Sequence, residues 1–290
     1  MITAKIIADS VSPAGKRITT FLLQYPRFVH SEFMTHRAFS RNAASSRAIP
    51  VKTMIAKLRE TPAMPIYWGA SQKGMQAGEE LTGESLANVK LIWLRGMEDA
   101  TRTAEAMLES GLHKQIANRV LEPWAHMETL VTATEYDNFF ALRCHPDAQP
   151  EIQTLAFAML REYVKHEPTF VPLQGWHVPY GDRLPVEMPI CDKIKIATAR
   201  AARTSYMNFD GTSDTIKDLE MHDRLSEAGH WSPFEHCATA AQIATAFYGN
   251  FSGWVPYRKM FQNENRSVTN YEHLLTTTPD FVKRALDDAP

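Results

Sequence analysis

The sequence has few cysteines, and their spacing excludes two classes of cross-linked protein. Three occur among 290 residues, at Cys144, Cys191 and Cys237, and none forms a CxxC pair. Structural zinc sites and disulfide frameworks both need clustered or regularly paired cysteines. We therefore expect reduced thiols and no bound metal.

A long apolar run and an excess of basic charge are also missing. No segment approaches the roughly 18 apolar residues of a membrane helix, and the opening MITAKIIADSV has no basic stretch before an apolar one. The formal net charge is -2 and the pI is near 6.6, which disfavours a nucleic acid polymer as partner. These absences predict a cytoplasmic protein without membrane contact. A small anionic ligand held by local arginines remains compatible with them.

The sequence does contain enough apolar material for a substantial core. Hydrophobic residues make up 44% of the chain and charged residues 22%, a balance typical of globular proteins. Apolar residues alternate or cluster over 2–10 and 18–24. This pattern predicts two strands, and Pro26 is expected to end the second.

Apolar positions at helical spacing predict several helices. One begins near Val29, a long core-facing helix carries Leu86 and Ile92 and stops at Gly111, and another covers 152–163. Strands combined with long helices predict an α+β fold with a mixed or antiparallel sheet.

A stretch rich in proline and glycine, residues 168–189, is predicted to be an extended connection. It places a boundary near residue 185. We therefore expect two regions, 1–185 and 186–290, that pack as one compact unit.

Two further elements are predicted within the second region. Lys193 to Ala197 alternates like a strand, and Ser213 is placed to cap a helix that stops at Gly229. The prediction rests on local pattern alone.

One segment near the N-terminus is polar and built of small side chains. THRAFSRNAASSRAIP, residues 35–50, sets His36, Arg37 and Arg47 among hydroxyl and amide groups, with almost nothing large and apolar. Hydroxyls, amides and an arginine fork are the groups that surround a phosphate dianion. A phosphate-binding turn is one interpretation, and a solvated loop that caps a helix is the other.

The spacing HRxxSxNxxSxR in this segment closely resembles the signature of the flavin-dependent thymidylate synthases. The resemblance implies that His36 and Arg37 contact the flavin. It also implies that Ser45, Ser46 and Arg47 hold the phosphate and sugar of the deoxynucleotide.

The segment departs from that signature at several positions. Thr35 replaces its first arginine, Ala43 directly follows Asn42 without an acidic residue nearby, and Ala48 replaces its closing aromatic. Glu32 stands where relatives commonly place a glutamine near the base. We expect Glu32 to bind substrate, and a carboxylate there could change which pyrimidine edge is accepted.

A second block, GLHKQIANRVLEPW followed by NFFALRCHPDAQPEI, is similar to the downstream pattern of the same family. That pattern is an A-x-R-x-x-L-P-like run, then N-F-x-x-x-R with A-Q-x-E-I. The resemblance implies nucleotide contacts for Arg119 and Arg143, and flavin contacts for Asn138 and Leu142.

A third block is displaced in order. AARTSYMNFDG (201–211) and AGHWSPFEH (228–236) resemble segments that precede the arginine motif in ordinary members, yet here they follow it. A circular permutation or a trimmed tandem duplication would produce this rotation, with YRKMFQNENRS (257–267) as a degraded second motif copy. The flavin-side candidates from this block are Ser205, His230, Ser232 and Glu235. We predict that GHWSPFEH meets the segment 35–47 in space.

The resemblance implies an enzyme that transfers a one-carbon unit from methylenetetrahydrofolate to carbon 5 of dUMP, giving dTMP. Amino-acid side chains supply no hydride, so FAD is the expected cofactor and NADPH the expected reductant. Arg143 is our candidate catalytic residue, because a cation near a ring carbonyl favours the enolate-like state over the ground state. Relatives form homotetramers, and a homo-oligomer, tetramer or dimer, is expected here.

Three alternatives stay open at this point. The enzyme could be a related pyrimidine deoxynucleotide C5 hydroxymethylase or a dCMP methylase. The Cys144 thiol, beside His145, could attack the pyrimidine ring as in cysteine-based thymidylate synthases. The chain could also be a nucleotide-binding protein that has lost flavin chemistry.

Overall fold

A computed structural model describes residues 1–204, 214–265, 269 and 271–287. Its strands are β1 (Thr3–Val11), β2 (Arg17–Pro26), β3 (Ser40–Ala43), β4 (His126–Ala133), β5 (Thr169–Phe170), β6 (Trp176–His177), β7 (Ala238–Ala240), β8 (Phe247–Tyr248), β9 (Phe251–Ser252) and β10 (Trp254–Pro256). Its α-helices are α1 (His30–Met34), α2 (Val51–Glu60), α3 (Gly83–Glu109), α4 (Lys114–Ala117), α5 (Asp137–Arg143), α6 (Pro150–Lys165), α7 (Ile190–Arg203), α8 (Thr215–Ala228), α9 (Tyr271–Thr276) and α10 (Asp280–Asp287).

The main sheet has five strands in the order β3-β4-β2-β1-β5. Its pairs are antiparallel except for β1 with β5, which is parallel. A tight turn with Gly15 at φ 75° joins β1 to β2, and a residue without a Cβ adopts that left-handed conformation at little cost. The mixed sheet and long helices confirm the predicted α+β class, and β1 and β2 confirm the two predicted strands.

Strand β2 lies at the centre of the sheet and is covered on both faces. On one face Phe21 and Leu23 join a buried cluster with Ile152 and Leu155 of α6. On the other face Leu22 packs against a cluster that includes residues of α7 and the 176–184 segment. Because both faces are covered, β2 is buried along almost its whole length.

The predicted long helix is present as α3, but the prediction that it faces the core along its whole length is wrong for its N-terminal half. Only Met97, Thr101 and Ala104 of this helix are buried, whereas Ile92 is 57% exposed. Periodicity identifies an amphipathic helix without naming the surface that it packs on. Among the described residues no helix is long and apolar enough to cross a membrane.

The predicted strand at 193–197 is also wrong, because these residues lie inside α7. Pro189 sits immediately before the helix, and the alanine-rich residues 197–202 that follow favour helix over strand. Three apolar or small positions, Ile194, Ile196 and Ala197, are buried. The five residues of the predicted strand are too few to distinguish the helical period from the strand period.

The helix predicted to stop at Gly229 is α8. Gly229 follows it in the left-handed conformation, at φ 73°. The side chain of Asp214 caps the other end by accepting from the Lys217 backbone N–H. Ser213, the predicted cap, lies outside the described residues.

Candidate active site

The polar segment 35–50 is an edge strand and a docked turn rather than a solvated loop. Strand β3 pairs with β4, with Asn42 opposite Leu130, and a 3₁₀ turn follows at Ser46–Ala48. Ser40, Asn42 and Ser46 are buried. Small polar side chains allow this close packing, and their groups then need hydrogen-bond partners within the protein.

The turn is held in place by the downstream block. Asn118 Nδ2 donates to the carbonyl oxygens of Ser46 (2.7 Å) and Ile49 (2.8 Å). Lys114 Nζ donates to the Ala48 carbonyl oxygen at 3.0 Å. The two sequence blocks that share a family resemblance therefore form one local structure.

One carboxylate oxygen collects donors from three parts of the chain. Glu122 Oε1 accepts from Ser46 Oγ at 2.6 Å and from Arg119 Nη1 at 2.9 Å. It also lies 3.0 Å from Arg27 Nη2. We call Arg27, Ser46, Arg119 and Glu122 the anion cluster. It brings together two of the predicted nucleotide ligands, Ser46 and Arg119.

Sequence reasoning missed Arg27 and Glu122. Glu122 stands where the A-x-R-x-x-L-P pattern has its leucine. A charged residue at a position where the pattern is apolar is the signal that could have identified it. Arg27 precedes the motif and matches no part of it. Only the fold places it beside the other three residues.

A cavity of about 260 Å³ borders the anion cluster, close to the lower end of small-molecule sites. It lies between α2, the start of β4 and the turn after β3. Its lining residues are Gln24, Arg27, Ala44, Ser46, Ile49, Met54, Lys57, Leu58, Glu60, Thr61, Ala125, His126, Met127 and Glu128. The walls thus combine apolar side chains with a few charged groups, as ligand pockets commonly do.

A second group forms around Arg143 at the end of α5. Arg143 Nε donates to His36 Nε2 at 2.9 Å, and its Nη2 lies 3.3 Å from Thr35 Oγ1. Burial, together with the positive charges of Arg143 and Arg41, lowers the pKa of His36 to about 4. His36 is therefore neutral at pH 7, and its Nε2 is free to accept from Arg143.

Three of the predicted flavin-side residues are exposed on the two segments that supply this pair. Asn138 and Leu142 are exposed on α5 and lie four residues apart, on one face of the helix. Arg37 is exposed next to His36, and within the described ranges no ion pair engages it. An amide, an apolar side chain and a guanidinium are thus exposed on the segments that carry Arg143 and His36.

The predicted meeting of GHWSPFEH with the segment 35–47 is confirmed. His236 Nε2 lies 3.3 Å from the side-chain amide of Asn42. That amide fits its surroundings when its nitrogen faces His236 Nε2 and Ser232 Oγ, each at 3.3 Å. Ser232 and His230 are exposed beside this contact, while Glu235 accepts from Arg258 Nη1 at 2.6 Å. Ser205 lies outside the described residues.

His236 also ends a buried chain of hydrogen bonds through the main sheet. Each link is 2.7 to 2.9 Å long, and the five members come from five different elements or loops. Its members, in order, are Ser10, His177, Thr20, Thr132 and His236. Full burial lowers the pKa of both histidines to about 3, so both are neutral. The chain ties His236 to the centre of the main sheet, and the contact of His236 with Asn42 extends it to the motif strand β3.

The remaining predicted ligands stand apart from these groups. Arg47 is exposed, and in the parts of the chain that the structure describes it makes no ion pair. Ser45 is half-buried before the turn. Glu32 is half-buried on α1 and accepts from Ser31 Oγ at 3.1 Å.

Cys144 has the character of a core thiol rather than a nucleophile. It packs against the main hydrophobic cluster, and burial raises its pKa. The nucleophilic form of cysteine is the thiolate, which this environment disfavours.

Comparisons with known proteins place the chain in a family. The model of the family described as thymidylate synthase complementing protein matches residues 8–169, more than half of the chain. No curated protein matches this chain. Among solved structures, a UMP/dUMP methylase PolB from Streptomyces cacaoi bound with 5-Br UMP is 21% identical, with 57% of this chain and 90% of that chain covered and a TM-score of 0.47. The same protein bound with 5-Br dUMP gives 20% identity, the same coverage and a TM-score of 0.44.

The family match ends at residue 169, so the rotated order of the C-terminal segments stays a prediction. Within the matched region lie the polar segment 35–50, the anion cluster and the Arg143–His36 pair. The chain belongs to the thymidylate synthase complementing protein family.

Proposed function

We propose that this chain transfers a one-carbon unit from methylenetetrahydrofolate to carbon 5 of dUMP, giving dTMP, with FAD as cofactor and NADPH as reductant. Family membership makes it a thymidylate synthase-like methyltransferase, and the proposal adds the substrate, the carbon donor and the reductant. The observation that carries it is the convergence of Ser46 and Arg119 on one anion position. These two residues come from segments that the resemblance assigns to the nucleotide.

The surface around Arg143 fits FAD in chemical terms. Arg37 and Asn138 offer donors for phosphate or ring carbonyl groups, and Leu142 offers an apolar contact for a ring. His230, Ser232 and Glu235 would complete the binding surface on the far side of β3. When bound, reduced FAD supplies the hydride that the side chains cannot.

Arg143 would act on the pyrimidine. Two of its N–H groups are held by His36 and Thr35, which fixes the plane of the guanidinium. Its other N–H groups have no described protein acceptor and can stabilise negative charge that develops on a ring carbonyl oxygen. Because His36 is neutral, it supports this cation without adding a second charge.

Methylation of dCMP is the second candidate, and Glu32 favours it. The side-chain carboxylate of Glu32 has a single described hydrogen bond, from the hydroxyl of its neighbour Ser31. An ionised carboxylate only accepts hydrogen bonds, so it would match the amino group of a cytosine edge. A competition assay with dUMP and dCMP separates the two substrates.

Replacing Arg47 with alanine is expected to weaken dUMP binding by about 1.5 to 3 kcal/mol, the value of a hydrogen bond to a charged group. Isothermal titration of dUMP measures this change. Arg95→Ala, on the exposed part of α3, is the matched control and should leave the affinity unaltered. A folded Arg47→Ala protein with wild-type affinity would remove Arg47 from the phosphate site.

Binding of FAD tests the cofactor assignment. The purified protein mixed with FAD should retain the flavin absorbance band after gel filtration, and Arg37→Ala should retain less. A wild-type protein that binds dUMP but never retains FAD would identify a nucleotide-binding protein without flavin chemistry.

A further inference from the structure

The anion cluster already contains an anion of its own. Glu122 Oε1 accepts hydrogen bonds from Ser46 and Arg119 and forms an ion pair with Arg27, all within 3.0 Å. This is the arrangement in which proteins hold one oxygen of a phosphate group. Here a side chain of the same chain takes that position.

We propose that Glu122 competes with the 5′-phosphate of the nucleotide for Ser46 and Arg119, and so sets the affinity of the site for phosphorylated ligands. This inference rests on the proposed function, since it takes these residues as phosphate ligands. It adds a specificity-determining residue that the family pattern does not contain, because leucine stands there in the pattern.

The hydroxyl of Ser46 makes the competition unavoidable. A serine hydroxyl has one proton to donate, and Ser46 gives it to Glu122 at 2.6 Å. A phosphate oxygen that takes this proton must therefore displace the carboxylate. Ser46 is buried and lines the cavity beside the cluster, so its hydroxyl is placed to meet a ligand there only in exchange for Glu122.

The two arginines differ in their freedom to change partner. The Arg119 side chain is 49% exposed, whereas those of Arg27 and Glu122 are each 19% exposed. Arg119 can therefore turn toward an incoming phosphate while Arg27 stays with Glu122. The dianion and the carboxylate would then lie close together, and like charges at short range repel.

A purely supporting role for Glu122 makes the opposite prediction. If the carboxylate only oriented Arg119 and Ser46 for substrate, removing its charge would loosen both donors and weaken phosphate binding. Competition predicts tighter binding. The sign of the change therefore decides between the two.

The experiment compares the wild-type protein with Glu122→Gln and Glu122→Leu, titrated with dUMP, deoxyuridine and inorganic phosphate. Gln keeps a hydrogen-bond acceptor without charge, and Leu is the residue of the family pattern, so one variant serves if the other fails to fold. Both variants should bind dUMP and phosphate about tenfold more tightly, the change that one charge-assisted hydrogen bond corresponds to. Deoxyuridine affinity should not change. Glu98→Gln, which removes a surface partner of Arg59 on α3, is the matched control.

Two adverse outcomes are distinguishable. Equal or weaker binding of dUMP by the folded variants overturns the role of Glu122 and leaves the proposed function intact. Tighter binding of inorganic phosphate without any binding of dUMP supports the competing anion and overturns dUMP as the substrate.

Discussion

Arg143→Ala is expected to lower kcat for dUMP by about 10²–10³-fold, the loss seen when one donor to a developing oxyanion is removed. The effect should fall mainly on kcat, because the guanidinium is assigned to charge that appears in the transition state. The variant should still fold, since Arg143 lies at the end of α5 and is half-buried. Steady-state kinetics at saturating dUMP measures the change.

A second readout separates catalysis from structural damage. The positive charge of Arg143 is one cause of the lowered pKa of His36, so that pKa should rise above about 4 in the variant, as followed by proton NMR. Arg102→Ala, at an exposed arginine that pairs with Asp99 on α3, is the matched control. Near-normal kcat in Arg143→Ala would remove the residue from the chemistry.

The protein is expected to lose stability steeply as the pH falls below 6.5. His177 and His236 are fully buried, and their pKa is about 3 in the folded chain against about 6.5 when unfolded. Protons therefore bind the unfolded chain first. The stabilisation is complete above pH 6.5 and is lost progressively as the pH falls toward 3. Each histidine contributes a slope of about 1.4 kcal/mol per pH unit, or about 2.7 for the pair.

Urea denaturation at pH 7, 6 and 5 measures this slope in a range above most carboxylate titration. His177→Gln should remove the contribution of one histidine, about 1.4 kcal/mol per pH unit, while also lowering the stability at pH 7. His113→Gln, which replaces an exposed histidine before α4 that lies outside this buried chain, is the matched control. An unfolding free energy that stays flat from pH 7 to 5 would mean that the two rings are not buried as neutral groups.

Local patterns predicted those elements in which the apolar repeat extends over enough residues to distinguish a helix from a strand. Strands β1 and β2 and helices α3, α6 and α8 all lie where periodicity places them. The segment 193–197 failed because five residues fit both periods, and the alanines after it were the better signal. The predicted burial of the N-terminal half of α3 was wrong because an apolar stripe on a helix does not identify the surface that it packs against.

The candidate site was likewise predicted from the sequence only in part. The resemblance selected the segment 35–50 and the arginines of the second block, since motif spacing survives in sequence. It could not place Ser46 and Arg119 on one carboxylate oxygen, because residue 122 meets residue 46 only after folding. His177 carried no signal at all, as its partners Ser10 and Thr20 are more than 150 positions away.

Mass analysis of the nucleotide product tests the proposed reaction most directly. The protein would be incubated with dUMP, methylenetetrahydrofolate, FAD and NADPH, with each component omitted in turn. The expected product is one methylene unit heavier than dUMP, co-elutes with dTMP, and is absent when FAD is omitted. A product one formaldehyde unit heavier, or unchanged dUMP from a protein that binds both FAD and dUMP, would contradict thymidylate synthesis by this chain.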